Sequence, residues 1–145
     1  MNLMQHSGPM ELVVLGIQPG EMLLETIRQA LLDRDIRNGV VISGIGTLKT
    51  CQMHYIDHTD FPPRDVLYAI EKPLELVSVS GIIADGEPHL HICVGCRDTG
   101  AWAGHLEPGS EVAYLAEIAI LRCNDLQMAR HLDEKRKIRL LGAKG

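Results

Sequence analysis

The stretch from Glu87 to Leu106 constrains the fold more than any other part of the chain. Pro88-His89-Leu90-His91-Ile92, continued by Cys93 and Val94, reads as strand, as do Ala101, Trp102 and Ala103 after the link Arg97-Asp98-Thr99-Gly100. The Asp and Gly chemistry of that link predicts a three-residue hairpin loop ending with Gly100 in the left-handed region. Side chains alternate along a strand, so His89 and His91 share a face with Cα atoms about 7 Å apart. An odd-length loop brings His105, in Gly104-His105-Leu106, to that face one strand over. A one-residue slip in register would turn it away. Three imidazoles on one face can converge on a single ion at Zn–N distances of about 2.0–2.1 Å, leaving a coordination position open. The same residues also fit a solvent-facing histidine pair with no metal, and the motif by itself leaves both readings standing.

The rest of the chain supplies the sheet around this hairpin. Glu11 to Ile17 reads as a first strand. Pro19-Gly20 opens a helix from Glu21 to about Arg34, with Leu23, Ile27, Ala30 and Leu31 at helical spacing and Asn38-Gly39 as its stop. Val40 to Ser43 is a strand that breaks in a tight bend at Gly44-Ile45-Gly46, and Leu48 to Ile56 is another. Gly44-x-Gly46 is not a nucleotide loop, because no third glycine, Walker lysine or following helix accompanies it. Two prolines make His58 to Asp65 a loop. Val66 to Ile70 and Leu74 to Ala84 are two further strands, and Val112 to Leu121 follows the turn Glu107-Pro108-Gly109-Ser110. One helix among many short-linked strands implies an α+β fold with a mainly antiparallel sheet.

A chain of 145 residues fits one domain, 1–145, with 1–9 and 141–145 as flexible ends. No run of about 18 apolar residues offers a membrane span, and the first ten residues lack signal-peptide character, so the expected location is the cytoplasm. The net charge of −5 lacks the overall pull of a phosphate binder. The end from Arg130 to Gly145 carries six basic residues against two acidic ones and reads as a solvated tail. Cys51, Cys93, Cys96 and Cys123 read as small buried apolar residues rather than disulfides. On a strand, Cys93 and Cys96 face opposite sides.

Several spaced motifs resemble the plants-and-prokaryotes-conserved (PPC) domain, in order from about Val13 to Leu140. They include Pro19-Gly20-Glu21-Met22-Leu23, Val41-Ile42-Ser43-Gly44-Ile45-Gly46 and Pro73-Leu74-Glu75-Leu76. The most specific are Asp85-Gly86-Glu87-Pro88-His89-Leu90-His91 and Gly104-His105-Leu106-Glu107-Pro108-Gly109. The resemblance implies a protomer of a homotrimer. A more distant resemblance to the alpha-acetolactate decarboxylase fold group implies a divalent transition metal, best matched by zinc, on His89, His91 and His105. The DNA association known in the family goes with an Arg-Gly-Arg-Pro hook, which this chain lacks. That lack and the acidic balance speak against direct DNA binding.

Two functions follow as expectations. One is a trimeric binding or regulatory module with a small-molecule ligand at the metal. The other is a zinc-dependent lyase or decarboxylase acting on a small oxo- or hydroxy-acid. An enzyme needs a proton-transfer group, and Glu75 and Glu117 are the catalytic candidates because each interrupts a strand that otherwise reads as buried. A salt bridge, a subunit contact or a backbone hydrogen bond explains either acid equally well. Nothing in the spacing ties His54 or Tyr55 to the metal.

Overall fold

A computed structural model describes all 145 residues. The chain runs β1 (Glu11–Ile17), α1 (Leu23–Asp33), β2 (Gly39–Ile56), β3 (Asp65–Ala84), β4 (Glu87–Cys96), β5 (Gly100–Leu106), β6 (Val112–Arg122), β7 (Met128–Asp133) and β8 (Ile138–Ala143). The architecture is α+β and its pairings are antiparallel, as the strand pattern implies. Strand order in the main sheet is β1-β6-β2-β3-β4-β5, and β5 also pairs with β2 at Met53–Leu106 and His54–His105. That extra pairing closes β2, β3, β4 and β5 on one another.

Closure depends on a bend in β2, which is one long strand rather than the two expected. Its first half pairs with β6, with register shifts between Val41 and Ser43 and between Gly46 and Leu48. Gly46 has φ +154, and a Cβ there would lie 2.3 Å from the Leu115 carbonyl oxygen, so only glycine permits this approach. β3 is likewise continuous through Pro73. A register shift opposite Leu48–Thr50 takes up the residue that lacks an N–H.

Helix α1 places Leu23, Leu24, Ile27 and Leu31 in the core. It starts after Glu21, whose Oε2 instead accepts the Gln18 N–H at 2.6 Å, and Glu25 is the acid of its first turn. The helix ends before Asp35 (φ +46), earlier than Asn38-Gly39. Asn38, 2% exposed, serves another purpose: its Oδ1 accepts the Met128 N–H at 3.0 Å and thereby ties β7 to the sheet. The core gathers Leu48, Met53, Leu76, Leu90, Ile92, Leu106, Ile118 and their neighbours. Each such side chain contributes about 1.5–3 kcal/mol by leaving water.

The opposite face of the strands is exposed yet partly apolar, with Leu12, Val14, Ile42, Ile45, Val77 and Leu115 on it. Glu75 and Glu117 lie on exposed positions of these strands, which corrects the expectation that their surroundings are buried. Both faces of β3 and β6 carry apolar residues, so a lone acid does not reveal the inner side.

The basic end also differs from a solvated tail. It forms β7–β8, a separate two-stranded sheet, and residues 141–143 of the end expected to be flexible belong to β8. The four cysteines are free thiols. Cys51 and Cys123 are buried as expected, and burial pushes the Cys51 thiol up to about 11, whereas Cys93 and Cys96 are only half-buried. No helix is long and apolar enough to cross a membrane.

Candidate metal centre

The β4–β5 hairpin forms in the register that the histidines require. Cys96 pairs with Gly100 across Arg97, Asp98 and Thr99, and Gly100 has φ +87. His91 therefore lies directly opposite His105. Burial alternates strictly along β4: Pro88, Leu90 and Ile92 point inward and His89 and His91 outward. The possible ligand nitrogens of His89, His91 and His105 all lie within 4.8 Å of one another. Ring centroids are 5.5 Å apart for His89–His91, 4.8 Å for His89–His105 and 5.6 Å for His91–His105.

The electrostatics suit a cation that binds neutral imidazole. Loss of water around the rings is the main cause that lowers the His105 pKa to about 4, aided by the neighbouring His54 and His89. Desolvation also lowers His89, followed by the charge of Arg130 and then His91. A ring held neutral near pH 7 presents a lone pair, which is what metal ligation needs. The donor set fits an imidazole-binding divalent ion such as zinc.

Tertiary closure adds two groups that the sequence did not reveal. His54 pairs across strands with His105, and their rings stack at 4.4 Å between centroids and 21° between planes. His54 Nδ1 lies 2.5 Å from Glu107 Oε1. A carboxylate only accepts, so Nδ1 carries the proton and His54 turns Nε2 outward, 3.6 Å from Asp65 Oδ1. His54, His105 and Glu107 form a second group with metal-ligand spacing that shares His105 with the first. Glu107 was within reach of strand alternation, two residues beyond His105. His54 was not, because the β2–β5 pairing joins segments about fifty residues apart.

All four histidines line one open cleft of ≈ 1160 Å³, together with Tyr55, Asp65 and, from β7–β8, Arg130, Lys137 and Arg139. Glu75 and Glu117 do not line it. Glu75 borders a different cavity of ≈ 640 Å³ with Lys49, Cys96 and Tyr114, and Glu117 pairs with Gly16 and Ile45 in the middle of the sheet.

Known proteins share this arrangement of strands. A metal-containing protein from Archaeoglobus fulgidus is 25% identical, superimposes with a TM-score of 0.82 and is matched over 97% of this chain and 98% of its own. A protein from Bacteroides thetaiotaomicron with a provisional DNA-binding name is 17% identical, with a TM-score of 0.80 and 97% coverage of each chain, a likeness of fold alone. The bifunctional protein GlmU of a Synechococcus strain is 25% identical over 127 residues, which are 88% of this chain but only 20% of that protein. The chain thus spans about a fifth of the length of that curated relative. The family profile of the Plants and Prokaryotes Conserved (PCC) domain matches residues 4–124, within which the hairpin, the bend of β2 and every histidine of the cleft fall, and the chain belongs to that family.

Proposed function

We propose that this chain is a metal-centred binding protein in which His89, His91 and His105 hold one divalent transition ion, with zinc the best match. The observation that carries this reading is the approach of the three ligand atoms to within 4.8 Å of one another on the wall of an open cleft. The metal-containing relative supports it independently. A bound ion would supply Lewis acidity and an exchangeable position for a small ligand. The resemblance to a trimeric family and the exposed apolar strands bearing Leu12, Val14, Ile42 and Val77 support a homotrimer, which light scattering on purified protein tests.

Elemental analysis of untagged protein beside a His89→Ala/His91→Ala variant tests the centre directly. About one ion per chain in the native protein and none in the variant is the expected result. No ion in either, with folding intact, overturns the reading.

A second reading, a lyase or decarboxylase acting on a small oxo- or hydroxy-acid, is favoured by the Glu107–His54 pair. Glu107 fixes the His54 tautomer, so Nε2 can accept or return a proton at the rim of the metal centre. In this reading His54 takes the role first considered for Glu75 and Glu117, neither of which lines the cleft. Turnover lost in His54→Gln with metal content unchanged supports it, and absence of turnover in native zinc-loaded protein excludes it for the acids tried. DNA association is a weaker alternative that rests on the names of two structural neighbours, each under 25% identical. With a net charge of −5, direct binding requires a measurable affinity that falls steeply with salt.

A further inference from the structure

The cleft that the histidines line also holds a guanidinium with no ion-pair partner. Arg130 reaches back from β7 and donates from one terminal nitrogen to the Ile82 carbonyl at 2.9 Å and from the other to the Glu87 carbonyl at 3.1 Å. Carbonyls orient a guanidinium but cancel none of its charge, and Arg130 has no salt bridge. Its five N–H donors leave a part of the fork free. Partial burial lowers its pKa, the mark of a cation removed from water, yet arginine stays protonated at any ordinary pH. Glu87, an exposed acid of the cleft lining, favours the charged form of Arg130 without forming an ion pair with it, and the other two lining acids are placed elsewhere. Asp85 is bound by Arg37 at 2.8 Å and Lys144 at 2.6 Å, and Asp65 is 59% exposed beside His54.

Three neutral imidazoles would leave a divalent ion with its full charge, and the Arg130 guanidinium lies close by, hydrogen-bonded to Ile82, the strand partner of His89. With an ion bound, two positive centres would border one cleft, offset without ion pairing by Glu87 on one side and by the His54-bonded Glu107 on the other. The N–H donors of Arg130 that the Ile82 and Glu87 carbonyls leave free suit an anion, and the planar fork of arginine matches a carboxylate in two-point geometry.

We propose that Arg130 and the three-histidine centre form a clamp for a small carboxylate, with the carboxylate on the guanidinium and a neighbouring oxygen toward the metal. This rests on the metal reading above and goes further by naming the ligand class and a residue that selects it. Arg130 is then a specificity residue, and the β7–β8 hairpin exists in part to deliver it.

The test uses cobalt(II)-loaded full-length protein, whose visible spectrum reports ligands entering the metal sphere. Metal stoichiometry is measured first. Lactate should shift the spectrum saturably, and lactamide, its neutral counterpart, should bind at least tenfold more weakly. Arg130→Gln should keep its cobalt but lose at least tenfold in lactate affinity, whereas Arg136→Gln, paired with Asp133 outside the cleft lining, should leave it unchanged. Because Arg130 also ties β7 to the sheet, Arg130→Lys and the melting temperature of each variant separate charge from docking. A folded Arg130→Lys should recover part of the lost affinity. Equal lactate affinity in native protein and folded Arg130→Gln overturns the clamp, as does equal binding of lactamide or a preference for inorganic phosphate. Failure to take up cobalt overturns the metal reading, and the clamp with it, at the stoichiometry step.

Discussion

The hairpins β4–β5 and β7–β8 both deliver side chains to the cleft, but they are held in different ways. β4–β5 is built into the closed sheet, with β4 paired to β3 and β5 to β2, and Leu90, Ile92, Val94 and Leu106 point into the core at 2% exposure or less. β7–β8 pairs only with itself. Met128, at 3% exposure, is its one deeply buried large side chain, and polar ties from Asn38, Arg130 and Lys144 do the rest. A two-stranded hairpin alone is marginally stable. The histidines therefore stand on a rigid support, while the arginine that shares their cleft sits on an element that opens at lower free energy.

Leu106→Ala attacks the rigid support and carries the largest expected effect. At 1% exposure the truncated side chain leaves a cavity, and urea unfolding should show a loss of about 2–5 kcal/mol. A loss below about 1 kcal/mol would mean that β5 is less firmly built in than its burial implies.

The histidines come next. Zinc at a hundredfold excess over its dissociation constant should raise the stability of the native protein by about 2.7 kcal/mol. His89→Ala/His91→Ala should melt at the same temperature with and without zinc. Zinc stabilisation that survives in the double variant would place the ion elsewhere, with His54, His105 and Glu107 the first alternative.

Asn38→Ala sharpens the contrast between the hairpins. It removes the acceptor of the buried Met128 N–H and should cost about 1–3 kcal/mol. Amide exchange should accelerate throughout β7–β8 and leave β4–β5 protected. Equal acceleration in both would show that they open together.

The smallest effect is expected at Asp85. The Lys144 ammonium, then the Arg37 guanidinium, hold its carboxyl below the usual carboxylate range. Its contribution to stability is therefore present above about pH 4, the ordinary aspartate value, and is lost as pH falls through the depressed one. Metal-free Asp85→Asn should be slightly less stable than native protein near pH 7, and the two should converge in acid. A constant difference across that range would show that the ion pairs are not the cause.

The candidate site was legible where it depends on neighbours in the chain. The period of two along β4 and the glycine-ended turn at 97–100 are local properties, and together they put His89, His91 and His105 on one face before any tertiary contact is known. Glu107 lay within the same alternation. His54 and Arg130 did not, since one depends on the closure of β2 onto β5 and the other on a hairpin whose charges read as a solvated end. Glu75 and Glu117 show the converse limit: alternation identified their strands, but apolar residues on both faces concealed which side is the interior.

The amino-acid sequence by itself thus determined the strand-rich α+β class, the family, the histidine hairpin and its register. These follow from side-chain periodicity, turn chemistry and short-range order, which act over a few residues. Only the tertiary structure decided what surrounds the histidines. The bend at Gly46 lets β2 contact β6 along one half and β5 near the other end, and this sets His54 beside His105. Asn38 docks the second hairpin, from which Arg130 reaches the same cleft. Such contacts join residues about fifty to ninety positions apart, and burial and shape choose among the many pairings that local preference allows.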